Sequence, residues 1–127
     1  TMIRASCFFP PNLFPLPAAK TKHAIFFIWL FYKDLIFSLD TNKFQIFIFH
    51  SQKTYPGDVL TEFKKKETEG VLKNKFLPIK LTEKINIIKE FELDVIFYPD
   101  IGLSIEFYYL ALIRLAKYQI TTFGHPE

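Results

Sequence analysis

The sequence predicts an α/β fold, a Rossmann-like three-layer sandwich around a mainly parallel sheet. Helical and strand-like patterns alternate at short spacing along most of the chain, the order that βαβ units produce. The strand-like runs, Lys43 to His50 and Asp94 to Tyr98 above all, are rich in Phe, Ile and Val with little polar alternation. Strands covered on both faces read this way. At 127 residues the chain is about the size of one domain, and half of its residues are hydrophobic, enough for one core.

Taken in order, residues 1–22 hold Pro10, Pro11, Pro15 and Pro17 and follow neither a strand nor a helix period. They are expected to form an irregular, Pro-rich segment ahead of a domain running from 23 to 127. Ile25 to Leu39 is mostly apolar and long enough for a helix, closed by the turn cluster Asp40-Thr41-Asn42. Lys43 to His50 is the first buried strand. Asp58, after Pro56-Gly57, can cap a helix through Val59, Leu60 and Phe63 that Gly70 ends. Val71 to Ile79 contains Pro78 and fits a short edge strand. Thr82 is placed to cap a helix in which Ile85, Ile88 and Phe91 recur at helical spacing.

Asp94 to Tyr98 is the second buried strand. Ser104 to Ala116 is apolar almost all round, so a heavily covered helix is expected, with Arg114 near its end satisfying carbonyls rather than pairing with a phosphate, and Tyr108 and Tyr109 serving as packing residues with their hydroxyls at the rim. Tyr118 to Phe123 is the last strand. The stretches 44–49, 95–98 and 119–123 are expected side by side and in one direction, so that the loops after 98 and 123 open on the same rim. In open parallel sheets ligands sit beyond that rim.

Composition excludes several classes. The net charge of +3 is small and both signs are interleaved; Lys64-Lys65-Lys66 runs straight into Glu67 and Glu69, a solvated helix face rather than a nucleic-acid stripe. Cys7 is the only cysteine, so no internal disulfide forms, and no ligand cluster for a metal stands out. A reducing, cytoplasmic setting is the expectation. The apolar run from Ala24 to Tyr32 falls well short of the roughly 20 residues of a membrane-crossing helix. No signal peptide and no transmembrane segment are expected. A third, membrane-peripheral reading would use the Phe-rich stretch Ile25 to Phe37.

Asp94-Val-Ile-Phe-Tyr-Pro-Asp-Ile-Gly102, Tyr108-Tyr-Leu-Ala-Leu-Ile-Arg-Leu-Ala116 and Gln119-Ile-Thr-Thr-Phe-Gly-His-Pro126 follow one another in order. Together they resemble the catalytic region of the O-GlcNAc transferase and SPINDLY group of glycosyltransferases, glycosyltransferase family 41-like, with its bacterial asparagine-modifying relatives. The specific likeness covers Asp94 to Pro126. A fainter one joins Lys22-His23-Ala24 and the following helix and strand to the family's Asn-His-Thr loop. Lys22 and Ala24 depart from that loop, and Phe123 stands where the family has Trp.

The resemblance implies that the chain is the N-terminal, acceptor-side lobe of a two-lobed GT-B enzyme, truncated after Glu127. It implies transfer of N-acetylglucosamine or a hexose from a UDP-sugar donor to Ser, Thr or Asn of cytoplasmic proteins. A C-terminal nucleotide-binding lobe would be the essential partner, a protein or peptide the acceptor, and helical repeats a further N-terminal neighbour. No metal or other cofactor is implied. No Gly-x-Gly-x-x-Gly or Walker-type loop occurs here, so this piece alone is expected to bind no donor and to be inactive.

Carried over residue by residue, His125 and, more faintly, His23 are the candidate catalytic groups. Asp100, Gly102, Gly124 and Pro126 are the candidate substrate-binding positions. An imidazole at His125 could donate to a phosphate or take a proton near neutral pH; the plainer reading is a turn histidine, as a solvent-exposed helix flank is for His23. Asp100 could orient a sugar or cap the next helix, and Gly102 and Gly124 supply backbone freedom. The alternative from another class is a non-catalytic, flavodoxin-like ligand- or protein-binding module using the same strand-end loops.

Overall fold

The computed structural model of the chain describes residues 2–9, 32–50, 59–99, 101 and 105–121. Strand β1 (Ile3–Phe9) precedes helical residues 32–37 (α1), β2 (Phe44–His50), α2 (Val59–Thr68) and β3 (Lys73–Phe76). Then come α3 (Leu81–Glu90), β4 (Val95–Tyr98), α4 (Ile105–Leu112) and β5 (Tyr118–Thr121). The strands form one five-stranded sheet in the order β3-β2-β1-β4-β5, with every pairing parallel.

The order runs outward from β1 in two directions, and right-handed crossovers then require helices on opposite faces. That is what the packing shows. On one face Ile46 and Ile48 of β2 meet Tyr32 and Ile36 of α1 and Val59 and Phe63 of α2. On the other, Phe47, Phe49, Ile96 and Tyr98 meet Ile88 of α3 and Phe107 and Leu110 of α4. The architecture is the Rossmann-like three-layer sandwich expected from the alternating pattern, and β2 lacks a polar face because helices cover both of its sides.

Several local expectations hold. Asp40 closes a turn by accepting the Asn42 N–H at 2.9 Å. Gly70, at φ 78°, ends α2 with paired bonds from Gly70 N to Glu67 O and from Val71 N to Lys66 O, both 3.0 Å. The strand expected within 71–79 is β3, at the sheet edge, where exposed Lys73 and Lys75 discourage further pairing. Asp58, and the part of the expected 25–39 helix before residue 32, lie outside the described residues.

Four expectations are corrected. Residues 1–22 are not irregular throughout, because Ile3–Phe9 is the central strand, paired over seven positions with β2 and three with β4. Its prolines begin only at Pro10, and Arg4 and Ser6 interrupt the apolar run by which β2 and β4 could be read as strands. It follows that the stretches 44–50 and 95–98 run in one direction but are not neighbours, since β1 lies between them.

Thr82 does not cap α3: Lys80 takes that place, in extended conformation with no side-chain cap, and its carbonyl receives the Lys84 N–H at 3.0 Å. Finally, α4 ends at Leu112, short of Ala116, and among the described residues it is covered on one side only. Gln119 of β5 plugs its end, Nε2 donating to Ala111 O at 2.8 Å and Oε1 accepting from Leu115 N at 3.0 Å. Arg114 therefore turns away and donates to Lys117 O at 2.7 Å instead of a helix carbonyl. Tyr108 and Tyr109 are half exposed, their rings set edge-on to each other.

Candidate functional site

A doubly wound sheet opens its crevice beyond the carboxyl ends of the strands, where the order reverses. Here the reversal falls between β1 and β4. The last residues of β4 and β5, Tyr98 and Thr121, are directly paired. The carboxyl ends of β4 and β5 thus lie at the same rim about 4.8 Å apart, one strand spacing. The described part of the β4 exit is anchored from below. Tyr98 is buried with its ring 6.3 Å from that of Phe107, Pro99 is buried, and Ile101 packs on the core beneath α4. Burial pushes the Tyr98 phenol above its ordinary 10.0, so it stays protonated.

All of the residues singled out from the sequence, His23, Asp100, Gly102, Gly124, His125 and Pro126, lie outside the described residues. What is described is the frame from which their segments depart: the ends of β4 and β5 for Asp100, Gly102, Gly124, His125 and Pro126, and the start of α1 downstream of His23.

The same rim holds a polar group that sequence reasoning passed over. His50 ends β2 and is fully buried, stacked on Phe76 at 4.8 Å between ring centroids and edge-on to Phe63 at 5.0 Å. Its Nε2 lies 2.8 Å from Asn74 Oδ1. The Asn74 amide is oriented by donation from Nδ2 to Phe63 O and Glu67 Oε2, both at 3.1 Å. Oδ1 must therefore accept, which puts the hydrogen on Nε2. Glu67 Oε1 also takes the Asn74 N–H at 2.9 Å, and these two bonds from Asn74, the backbone one foremost, hold its carboxyl below the usual range.

Burial, partly offset by the Asn74 bond and by Glu67, holds His50 below its ordinary 6.5. A neutral, enclosed imidazole braces the β2 and β3 ends; it is not a solvent-facing acid or base. The signal was in the sequence, since a histidine closing the apolar run Ile46–Phe49 has to find a partner once buried.

The buried charge among the described residues also lies toward this rim, at the amino ends of the two helices that follow β3 and β4. Lys84 of α3 is paired with Glu106 in the first turn of α4 and ties the two helices together. Burial lowers its pKa. Among the described residues no group of three or more His, Cys, Asp or Glu side chains could hold a metal ion, and no helix is long and apolar enough to cross a membrane. No protein-family model matches the sequence, and no curated protein matches it.

Proposed function

We propose that the chain is the acceptor-side lobe of a cytoplasmic, nucleotide-sugar-dependent protein glycosyltransferase. The observation that carries the reading is the direct pairing of Tyr98 with Thr121. Through it, the segment beginning Pro99-Asp100-Ile101-Gly102 and the segment holding Gly124-His125-Pro126 start from adjacent parallel strands at one rim. The order of parts supports it too: β4, the Tyr-Pro-Asp-Ile-Gly segment, the apolar α4 followed by Arg114-Leu115-Ala116, then β5 with Gln119. In this reading the lobe positions a protein acceptor, and His125 stabilises the departing diphosphate of a UDP-sugar held by a second lobe.

The test is to join the chain to a nucleotide-binding lobe of that glycosyltransferase group and follow transfer of labelled sugar from UDP-N-acetylglucosamine to acceptor peptides. Transfer is expected from the joined protein and from neither part alone, falling roughly 100-fold in His125→Ala, the usual loss for one charge-stabilising donor. No transfer from a joined protein that binds the donor would leave the non-catalytic binding module as the better account. Full transfer in His125→Ala would remove that residue from the mechanism.

A further inference from the structure

Helix α4 carries two apolar faces, and among the described residues only one of them is covered. Phe107 and Leu110 are fully buried against the sheet. On the far side Ile105 and Leu112 are each 68% exposed, Tyr108 53% and Tyr109 49%. These four stand at positions i, i+3, i+4 and i+7, a stripe about 100° wide on a helix of 3.6 residues per turn. No charged side chain interrupts it. Glu106 is turned to the side, where it engages Lys84, and the Arg114 guanidinium is held by Lys117 O.

We propose that this stripe is a contact surface between two copies of the chain, formed by α4 packing antiparallel on α4 across a two-fold axis. The sequence of the stripe selects the occupant. Ile105-Tyr108-Tyr109-Leu112 reads the same from either end, aliphatic at the tips and aromatic in the middle. About a two-fold centred between 108 and 109, Ile105 meets Leu112 of the other copy and Tyr108 meets Tyr109. Every group then finds its like, as an isologous interface demands. The two tyrosine rings of one copy already lie edge-on at 6.2 Å. Paired stripes extend this into a four-ring cluster with the hydroxyls at its wet margin.

Area sets the class of interface. Four large side chains exposed by half to two thirds offer on the order of 500 Å² per copy. Doubled, this reaches only the lower bound of about 1,000 Å² for a specific interface, so a weak, reversible dimer is expected.

Sedimentation equilibrium of the chain across roughly 1 μM to 1 mM tests it. A monomer–dimer equilibrium is expected, with Leu112→Glu raising the dissociation constant at least about tenfold by setting carboxylates into the apolar contact. Leu112 is exposed, so the variant folds, and circular dichroism checks that it has. Geometry is tested separately by mixing Ile105→Cys protein with Leu112→Cys protein under mild oxidation, with the unsubstituted chain as control for Cys7. Mixed disulfides should outnumber those between identical variants. A chain that stays monomeric, a dimer indifferent to Leu112→Glu, or a preference for identical pairs would each overturn the proposal.

Discussion

At His50 a single protonation is coupled to the stability of the whole sheet. The folded chain holds the imidazole below its ordinary 6.5 because charging it would place a cation among Phe63, Phe76 and the β2–β3 ladder. Its folded pKa is depressed while the unfolded value is not, so in the window between them the unfolded chain binds more protons. Stability is therefore full above about pH 6.5 and drops as pH falls toward the folded pKa, with a slope no steeper than about 1.4 kcal/mol per pH unit, the limit for one proton. Glu67 and Asp94, also depressed, lose their contributions only below the carboxylate range, from 4.5 and 3.8 downward. The window from 6.5 to 5 thus isolates histidine. Urea midpoints measured there should decline in the native chain and stay level in His50→Gln, whose amide can still donate to Asn74. An equal decline in both proteins would assign the titration to another residue. His50 itself was readable in advance only as a polar end to an apolar run; its partner Asn74 sits 24 residues on, and no local period connects them.

Pairs of elements are joined at a few polar points whose energetics differ from their appearance. Lys84 and Glu106 form the tie between α3 and α4, with the lysine side chain 3% exposed and the glutamate 23%. Burying two charges is expensive, and a pair of this kind stabilises mainly by not leaving either ion alone. Glu106→Ala should cost about 3 kcal/mol, the low end for a broken buried pair because water still reaches the glutamate site. The double replacement Lys84→Met with Glu106→Leu should return to within about 1 kcal/mol of the native chain, since apolar groups of similar volume replace such pairs at little cost. Urea unfolding of Lys84→Met, Glu106→Leu and the double closes the cycle, and a double variant as unstable as Glu106→Leu alone would show that the charges do more than offset each other. Element types were largely legible from apolar runs and turn residues, as at Gly70 and Pro78. Element ends were not. The stop of α4 depends on Gln119, which lies in the following strand and reaches back to Ala111, and the start of α3 relies on a lysine with no side-chain cap. The exposed face of α4 was hidden for a similar reason: an all-round apolar helix reads as buried whether its outer face meets this chain or a second copy.

For the molecule as a whole, the parallel sheet could be inferred from β2 and β4, whose lack of a polar face requires helices on both sides. The position of β1 could not. Prolines at 10, 11, 15 and 17 dominate the reading of residues 1–22, and Ile3–Phe9 has too mixed a composition to announce a central strand. Yet β1 holds both halves of the sheet. It pairs with β2 from Ile3↔Phe44 to Phe9↔His50 and with β4 from Ala5↔Val95 to Cys7↔Phe97. The junction is fastened at the amino end, where Asp94 N donates to Arg4 O at 2.9 Å and the Asp94 carboxylate accepts from Arg4 N at 3.0 Å and Lys117 Nζ at 2.7 Å. Removing β1 would strip the inner edges of both β2 and β4 at once, and the two remaining pairs, β3-β2 and β4-β5, have no other strand between them. Two-stranded remnants are not independently stable. A chain lacking residues 1–9 should therefore lose its near-ultraviolet circular dichroism and show no cooperative urea transition, whereas an irregular leader could be removed with little effect. A cooperative transition of unchanged urea slope in the shortened chain would mean that the buried surface survives without β1. The two halves would then have to close directly on each other, placing β2 beside β4 as the sequence alone suggested.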